Sequence, residues 1–324
     1  MKSIRLIGIA IAGLALASTA SAQSSDPISR SAAVYATYQS DVSDVKNNPM
    51  TSAKDIDSAL ENLGGHNPDK LSKGWIAYSA LIASQDPEYR AAVKDIENFY
   101  GRDALTTGLR NDARYARRLA GGDNAVSSAL GATEADSRRL NRVSQYVKDQ
   151  AYSLQAFGWA KKKIGNSSSR ATKLGNRQAG GVAAKSGLVT AFSSTEIDQT
   201  LAQAGRIGSP SVWEHVSGAA NAVKFPAGLN SGLTGSRKRV KYGKESVADQ
   251  IATLAAYRII GNQGTSSSTL NSAMSERKTK NCLTKANLNL NQCVAAANQQ
   301  YEVPFCIGEH SLSDVGKCIG GVYQ

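Results

Sequence analysis

The four cysteines of this chain, Cys282, Cys293, Cys306 and Cys318, all fall after residue 281, and their spacing constrains the fold more than any other feature. From Ser272 to Gln300 the sequence contains neither Gly nor Pro and has the composition of a helix. On one helix, Cys282 and Cys293 would share a face but lie about 16 Å apart, far beyond the roughly 7 Å a disulfide can span. They cannot pair with each other. Pro304 ends the predicted helix, and the chain returns through Cys306 to a short helix near Leu312–Cys318, capped by Ser311. An antiparallel return pairs Cys293 with Cys306 and Cys282 with Cys318. A zinc site fits less well, because no closely spaced cysteine pair exists and His310 is the only nearby imidazole.

Two disulfides require an oxidising compartment, and the N-terminus agrees with one. Lys2 and Arg5 precede the apolar run Leu6 to Ala17, and Ala20-Ser21-Ala22 reads as a signal-peptide cleavage site, so the mature chain begins at Gln23. The run is too short for a transmembrane anchor, and no second apolar span follows. The expectation is a periplasmic or secreted protein with no transmembrane segment.

From Asp26 onward the apolar residues recur at helical spacing, so the predicted fold class is all-α. A helix to about Lys46 begins at Pro27, and a second runs from about Ser52 to Leu63. The third, Pro68 to about Ser84, is the most apolar and belongs at the centre of the core. Asp86-Pro87 starts a fourth, and Gly121-Gly122 breaks the chain before a long helix. That helix is predicted over Thr133–Lys163, with Thr133-Glu134-Ala135-Asp136 as its capping box and Leu140, Val143, Val147, Leu154 and Phe157 as its apolar stripe. Residues 164–190 carry few apolar groups and read as a mobile basic linker. A helix at 245–260 follows, stopped by Gly261. The expected organisation is a signal peptide (1–22), an N-terminal helical bundle (23–163), a basic Gly/Ser-rich middle with short helices (164–243) and C-terminal helices with two disulfides (244–324), the last of them a stapled helical hairpin.

The net charge of +12 is concentrated in one block. Residues 138–187 hold eleven basic side chains against Asp149 alone, a net of +10. Such a block attracts anionic surfaces. The candidate anion-binding residues are Arg138, Arg139, Arg142, Lys161, Lys162 and Lys163, read as the outer face of the long helix, with Arg237, Lys238 and Arg239 as a second cluster. Trp159 and Tyr152 beside them suit contact with a sugar or a lipid headgroup. An exported chain meets envelope polymers rather than nucleic acid, and the clusters lack regular aromatic interleaving. The expected partner is an anionic envelope polymer or an acidic protein, with no cofactor.

Catalytic signatures are weak. His66, His215 and His310 belong to no metalloprotease or nucleophile-elbow motif. Ser275-Glu276-Arg277-Lys278 and Lys185-Ser186-Gly187 have the form of penicillin-binding motifs, in reversed order. Glu61, Glu88 and Glu97 are the carboxylates that a peptidoglycan hydrolase would draw on. The expectation is a non-catalytic binding or scaffolding protein, with the hydrolase as the alternative.

Overall fold

The computed structural model describes residues 26–206, 208–214, 238–261 and 265–323. The signal-peptide reading, His215 and Arg237 lie outside them. The fold is all-α, and among the described residues extended pairing is confined to two isolated bridges, Lys163 with Gln299 and Val240 with Tyr323.

The first four helices start where their caps dictate. Asp26 accepts from the amides of Ile28 and Ser29 ahead of α1 (Pro27–Asn47), and Ser52 accepts from Asp55 ahead of α2 (Ala53–Gly64). Asn67 caps α3 (Pro68–Ala83) and Asp86 caps α4 (Pro87–Tyr100), each with proline at the first helical position, where its missing N–H costs nothing. Two shorter helices follow, α5 (Arg102–Asn111) and α6 (Tyr115–Arg118).

α3 is the axis of the molecule. From Gly74 to Ala83 every residue is buried, Trp75, Ile76, Tyr78, Leu81 and Ile82 among them, so the helix is covered on every side beyond its first turns. α1 runs against it at close range, since a Cβ on Gly74 would stand 2.7 Å from the Ser31 carbonyl oxygen and 2.9 Å from the Tyr35 nitrogen.

The long helix, α7, spans Gly122–Leu154 rather than 133–163. Gly121, at φ 75°, supplies the break, and Ala125, Val126, Ala129 and Leu130 continue the buried stripe of Leu140, Val143, Val147 and Leu154 backwards by three turns. Thr133 is therefore no cap. Its hydroxyl donates to the Ala129 carbonyl (3.0 Å) and accepts from the Trp75 indole (3.2 Å). Beyond Leu154 the backbone tightens into turns, and tertiary bonds take over: Tyr301 N–H to Ala160 (3.2 Å) and Ile164 N–H to Asn298 (2.8 Å). Phe157 leaves the stripe and is exposed.

The expected mobile linker contains α8 (Ser167–Gly180), capped by Asn166. Leu174 is its one large apolar anchor, buried against α2 and the later α13. The remaining docking is polar. Gln178 donates to the Gly64 carbonyl (2.9 Å) and its side-chain oxygen accepts from Asn291 (2.8 Å), while Asn67 donates to the Gln178 carbonyl (3.0 Å). Composition alone underestimated this segment because hydrogen bonds rather than apolar area seat it.

After α9 (Ser186–Ser193), α10 (Glu196–Ala204) and a 3₁₀ turn (Val212–Glu214), α11 occupies Glu245–Ile260 and stops at Gly261, φ 80°, as its sequence predicts. The cysteine tail is divided more finely than expected. α12 (Ser267–Ala273) is separated from α13 (Arg277–Ala296), and Glu276 caps the second by accepting from Lys278 and Thr279. Pro304 does not end a helix but sits inside α14 (Glu302–Cys306). Ser311 caps nothing, because α14 continues through a π-helical segment (Ile307–Ser313) directly into α15 (Asp314–Gly320).

The disulfides are Cys282–Cys318 and Cys293–Cys306, with Cα–Cα distances of 5.6 and 5.7 Å. They staple α13 antiparallel to the stretch 302–320, which also lies antiparallel along α7. There Ser144 donates to the Gly308 carbonyl (2.7 Å) and Ser137 to that of Gly316 (2.8 Å). Buried apolar side chains from α1 through α15 join one contiguous core. No helix of the described residues is long and apolar enough to cross a membrane.

Candidate functional site

The structure separates the basic residues that the sequence grouped. Arg139 is buried, with 1 % of its surface exposed. Its guanidinium donates to the Gln39 side-chain oxygen (2.5 Å) and to the Ser43 hydroxyl (2.7 Å), both on α1. It belongs to the interior and forms no part of an outer face. Burial pulls its pKa down, and the nearby Asp136 and Glu214 oppose that.

Arg138, Arg142 and Lys238 lie around the middle of α7, each with a carboxylate partner. Arg138 and Lys238 both reach Glu134 at 3.0 Å, and the Lys238 ammonium also sits 5.9 Å over the Tyr323 ring. Arg142 pairs with Glu214, which Lys46 also approaches at 3.4 Å. Arg239 is exposed beside this cluster.

Lys161, Lys162 and Lys163 are different. All three are exposed, and among the described residues none has an ion-pair partner. They follow the C-terminal end of α7, and at 1.5 Å per residue the twenty residues from Glu134 to Leu154 alone span about 30 Å. The candidate residues therefore form two separate patches, one neutralised locally and one not.

The lysine segment borders an open pocket of about 290 Å³. Ala151 and Tyr152 of α7, with Gln155 just beyond its end, form one wall, and Ala296, Ala297, Tyr301, Glu302, Phe305 and the Cys293–Cys306 disulfide form the other. The Lys163–Gln299 bridge and the Tyr301-to-Ala160 hydrogen bond hold the backbone of the lysine segment next to Tyr301, one of the lining residues, while the lysines themselves do not line the pocket. Tyr152 is 60 % exposed and packs edge-on against Phe305, with ring centroids 6.3 Å apart. Sequence reading singled out Tyr152 but missed the pocket, whose far wall comes from residues about 150 positions away.

The carboxylates considered for hydrolysis are engaged. Glu61 pairs with Lys173 (2.5 Å), and Glu88 accepts from Asn124 (3.3 Å). Glu97 is held by Lys94 (2.8 Å) and Arg102 (2.7 Å), whose hydrogen bonds keep its pKa below the ordinary value. His310 meets Asp314 at 2.8 Å. Of the two penicillin-binding-like motifs, Ser275 donates to the Asn271 carbonyl and Lys278 to the Gly243 carbonyl. Lys185 binds Asp41 (3.0 Å) and Asp44 (3.2 Å). Burial works against its charge, but those two carboxylates outweigh burial and raise its pKa, the opposite of what a general base needs.

Two buried acidic centres escaped the sequence. Asp41 links Lys185 to the buried His66, whose Nε2 lies 2.8 Å from its carboxylate. Asp136 lies in the core, where it accepts from Tyr35 (2.9 Å), Ser211 (2.6 Å) and Trp213 (3.2 Å). Desolvation lifts its pKa to about 6 against the pull of those donors and of Arg139. The signal available was that Asp136 falls on the apolar stripe itself, four residues before Leu140 and seven before Val143, although the capping-box pattern offered a local reading of it.

Two disulfides fit a chain that matures in an oxidising, exported environment. Comparison with known protein families, with curated proteins and with solved structures finds no match to this chain.

Proposed function

We propose that this is an exported, non-catalytic helical protein of the cell envelope, which binds an anionic envelope component or an acidic partner through Lys161–Lys163. The observation that carries this reading is the contrast among the basic candidates. Arg138, Arg142 and Lys238 have carboxylates in hand and Arg139 is interior, whereas three consecutive lysines stand exposed with none among the described residues. Unpaired clustered charge keeps its long-range field for a partner, while paired charge has already discharged most of it. Arg239 is a secondary contact at the other patch.

The test is co-sedimentation of the oxidised protein with purified peptidoglycan sacculi and with an acidic polymer, across a salt series, with the supernatant assayed for released fragments. Salt-sensitive pelleting without fragments, weakened by joint Lys161→Glu, Lys162→Glu and Lys163→Glu substitution, supports the reading. Unchanged binding in that variant removes Lys161–Lys163 as the contact. Released fragments would instead make the protein a hydrolase.

A further inference from the structure

We infer that the pocket beside the lysines accepts one acyl chain of an anionic phospholipid, with the headgroup held by Lys161, Lys162 and Lys163. The inference rests on the proposed anion-binding role of these lysines and gives that role a ligand class.

Three observations favour a lipid chain over a peptide. The first is the lining. The buried members of the lining, Ala151, Ala297 and Cys306, are apolar, Gln155 and Glu302 are its polar members, and the volume of about 290 Å³ lies near the lower end for small-molecule sites. The second is that the nearby backbone is already committed. Tyr301 N–H bonds to Ala160, Ile164 N–H to Asn298, and Glu302 turns its carboxylate onto the amides of Asn298 (2.6 Å) and Gln299 (3.4 Å). A peptide entering here would bring amide groups with few partners, which is costly, whereas a polymethylene chain asks for none. The third is the rim. Tyr152 and Phe157 are 60 % and 52 % exposed beside three lysines whose flexible stems can reach along an apolar surface while the ammonium stays in water. Aromatic rings and lysines together are the composition that favours the boundary between headgroups and acyl chains.

The test uses lysophosphatidylglycerol below its micellar concentration, titrated into the intact oxidised protein. Trp159, the partly buried indole of the lysine segment, reports binding, because Trp75 and Trp213 are enclosed in the core. Binding should weaken about tenfold or more in Ala296→Phe, which fills the pocket from an exposed position at the end of α13, while pelleting with wall polymer stays as in the parent. The triple lysine reversal should weaken both. Glycerol phosphate, which has the charge but no chain, should not compete at matched concentration.

Equal binding by Ala296→Phe, or full competition by glycerol phosphate, would overturn the acyl-chain inference. So would retention of an apolar peptide in place of the lipid. Loss of lysolipid binding alone, with wall-polymer binding intact in the parent, overturns this inference and spares the broader one. Loss of both in the parent overturns both.

Discussion

The indole N–H of Trp213 donates to the carboxylate of Asp136 across 3.2 Å, joining the 3₁₀ turn at 212–214 to the middle of α7 inside the core. The same carboxylate takes the hydroxyls of Tyr35 and Ser211, so three segments of the chain converge on one acid.

That convergence makes stability depend on pH. The folded pKa of Asp136 is raised from 3.8 to about 6, so the folded state holds its proton more tightly than the unfolded chain. Between those values the native state binds more protons, and stability from this group is lost as pH rises through about 6, by about 3 kcal/mol in total. Asp136→Asn cannot ionise. Its stability relative to the parent should therefore climb by about that amount from about pH 4 to neutrality, read by urea denaturation at each pH. A constant difference between the two proteins would show that Asp136 does not titrate in this range.

Glycines in two helices should respond in opposite senses. Gly74→Ala pushes a methyl against the α1 backbone, 2.7 Å from the Ser31 oxygen, and should cost on the order of 1–3 kcal/mol. Gly131→Ala, in α7 with nothing within 4 Å of the new methyl, should stabilise by about 0.5–1 kcal/mol. Thermal melts of the two variants decide the matter.

The disulfides should differ in weight. Cys282–Cys318 closes a separation of 36 residues and Cys293–Cys306 one of 13, which by loop entropy stabilises by about 4 and about 3 kcal/mol respectively. Paired serine substitutions, compared by chemical denaturation, should reproduce that order.

Leu174→Asp should release α8 alone. It removes the segment's only large apolar anchor and places a charge between α2 and α13. Limited proteolysis should then cut within 164–186, at sites protected in the parent, while the disulfide-linked C-terminal fragment survives. Early cleavage of the parent in that interval would contradict the docking of α8.

Several elements were legible because a local rule was decisive. The cysteine pairing followed from helical rise and the reach of a disulfide, and the end of α11 from Gly261. The reading failed where distant partners set the outcome. Thr133 carries a capping-box pattern, yet its hydroxyl is taken by Trp75 from α3 and by Ala129 behind it. Arg139 has the same local sequence signal as Arg138, and only the acceptors Gln39 and Ser43 on α1 draw one inward and leave the other outside. The pocket was invisible for the same reason, since no local pattern announces that Tyr152 and Phe305 will face each other.

One hydrogen bond ties the two ends of the chain into one interior. Tyr38 donates to the Ser311 carbonyl at 2.7 Å, across 273 positions, in the interior that α1 and the π-helical segment share. Pairings this remote close slowly. The first helix cannot complete its native surroundings until the C-terminal stretch is present. Truncations that remove the last helices should therefore disable the first ones with them.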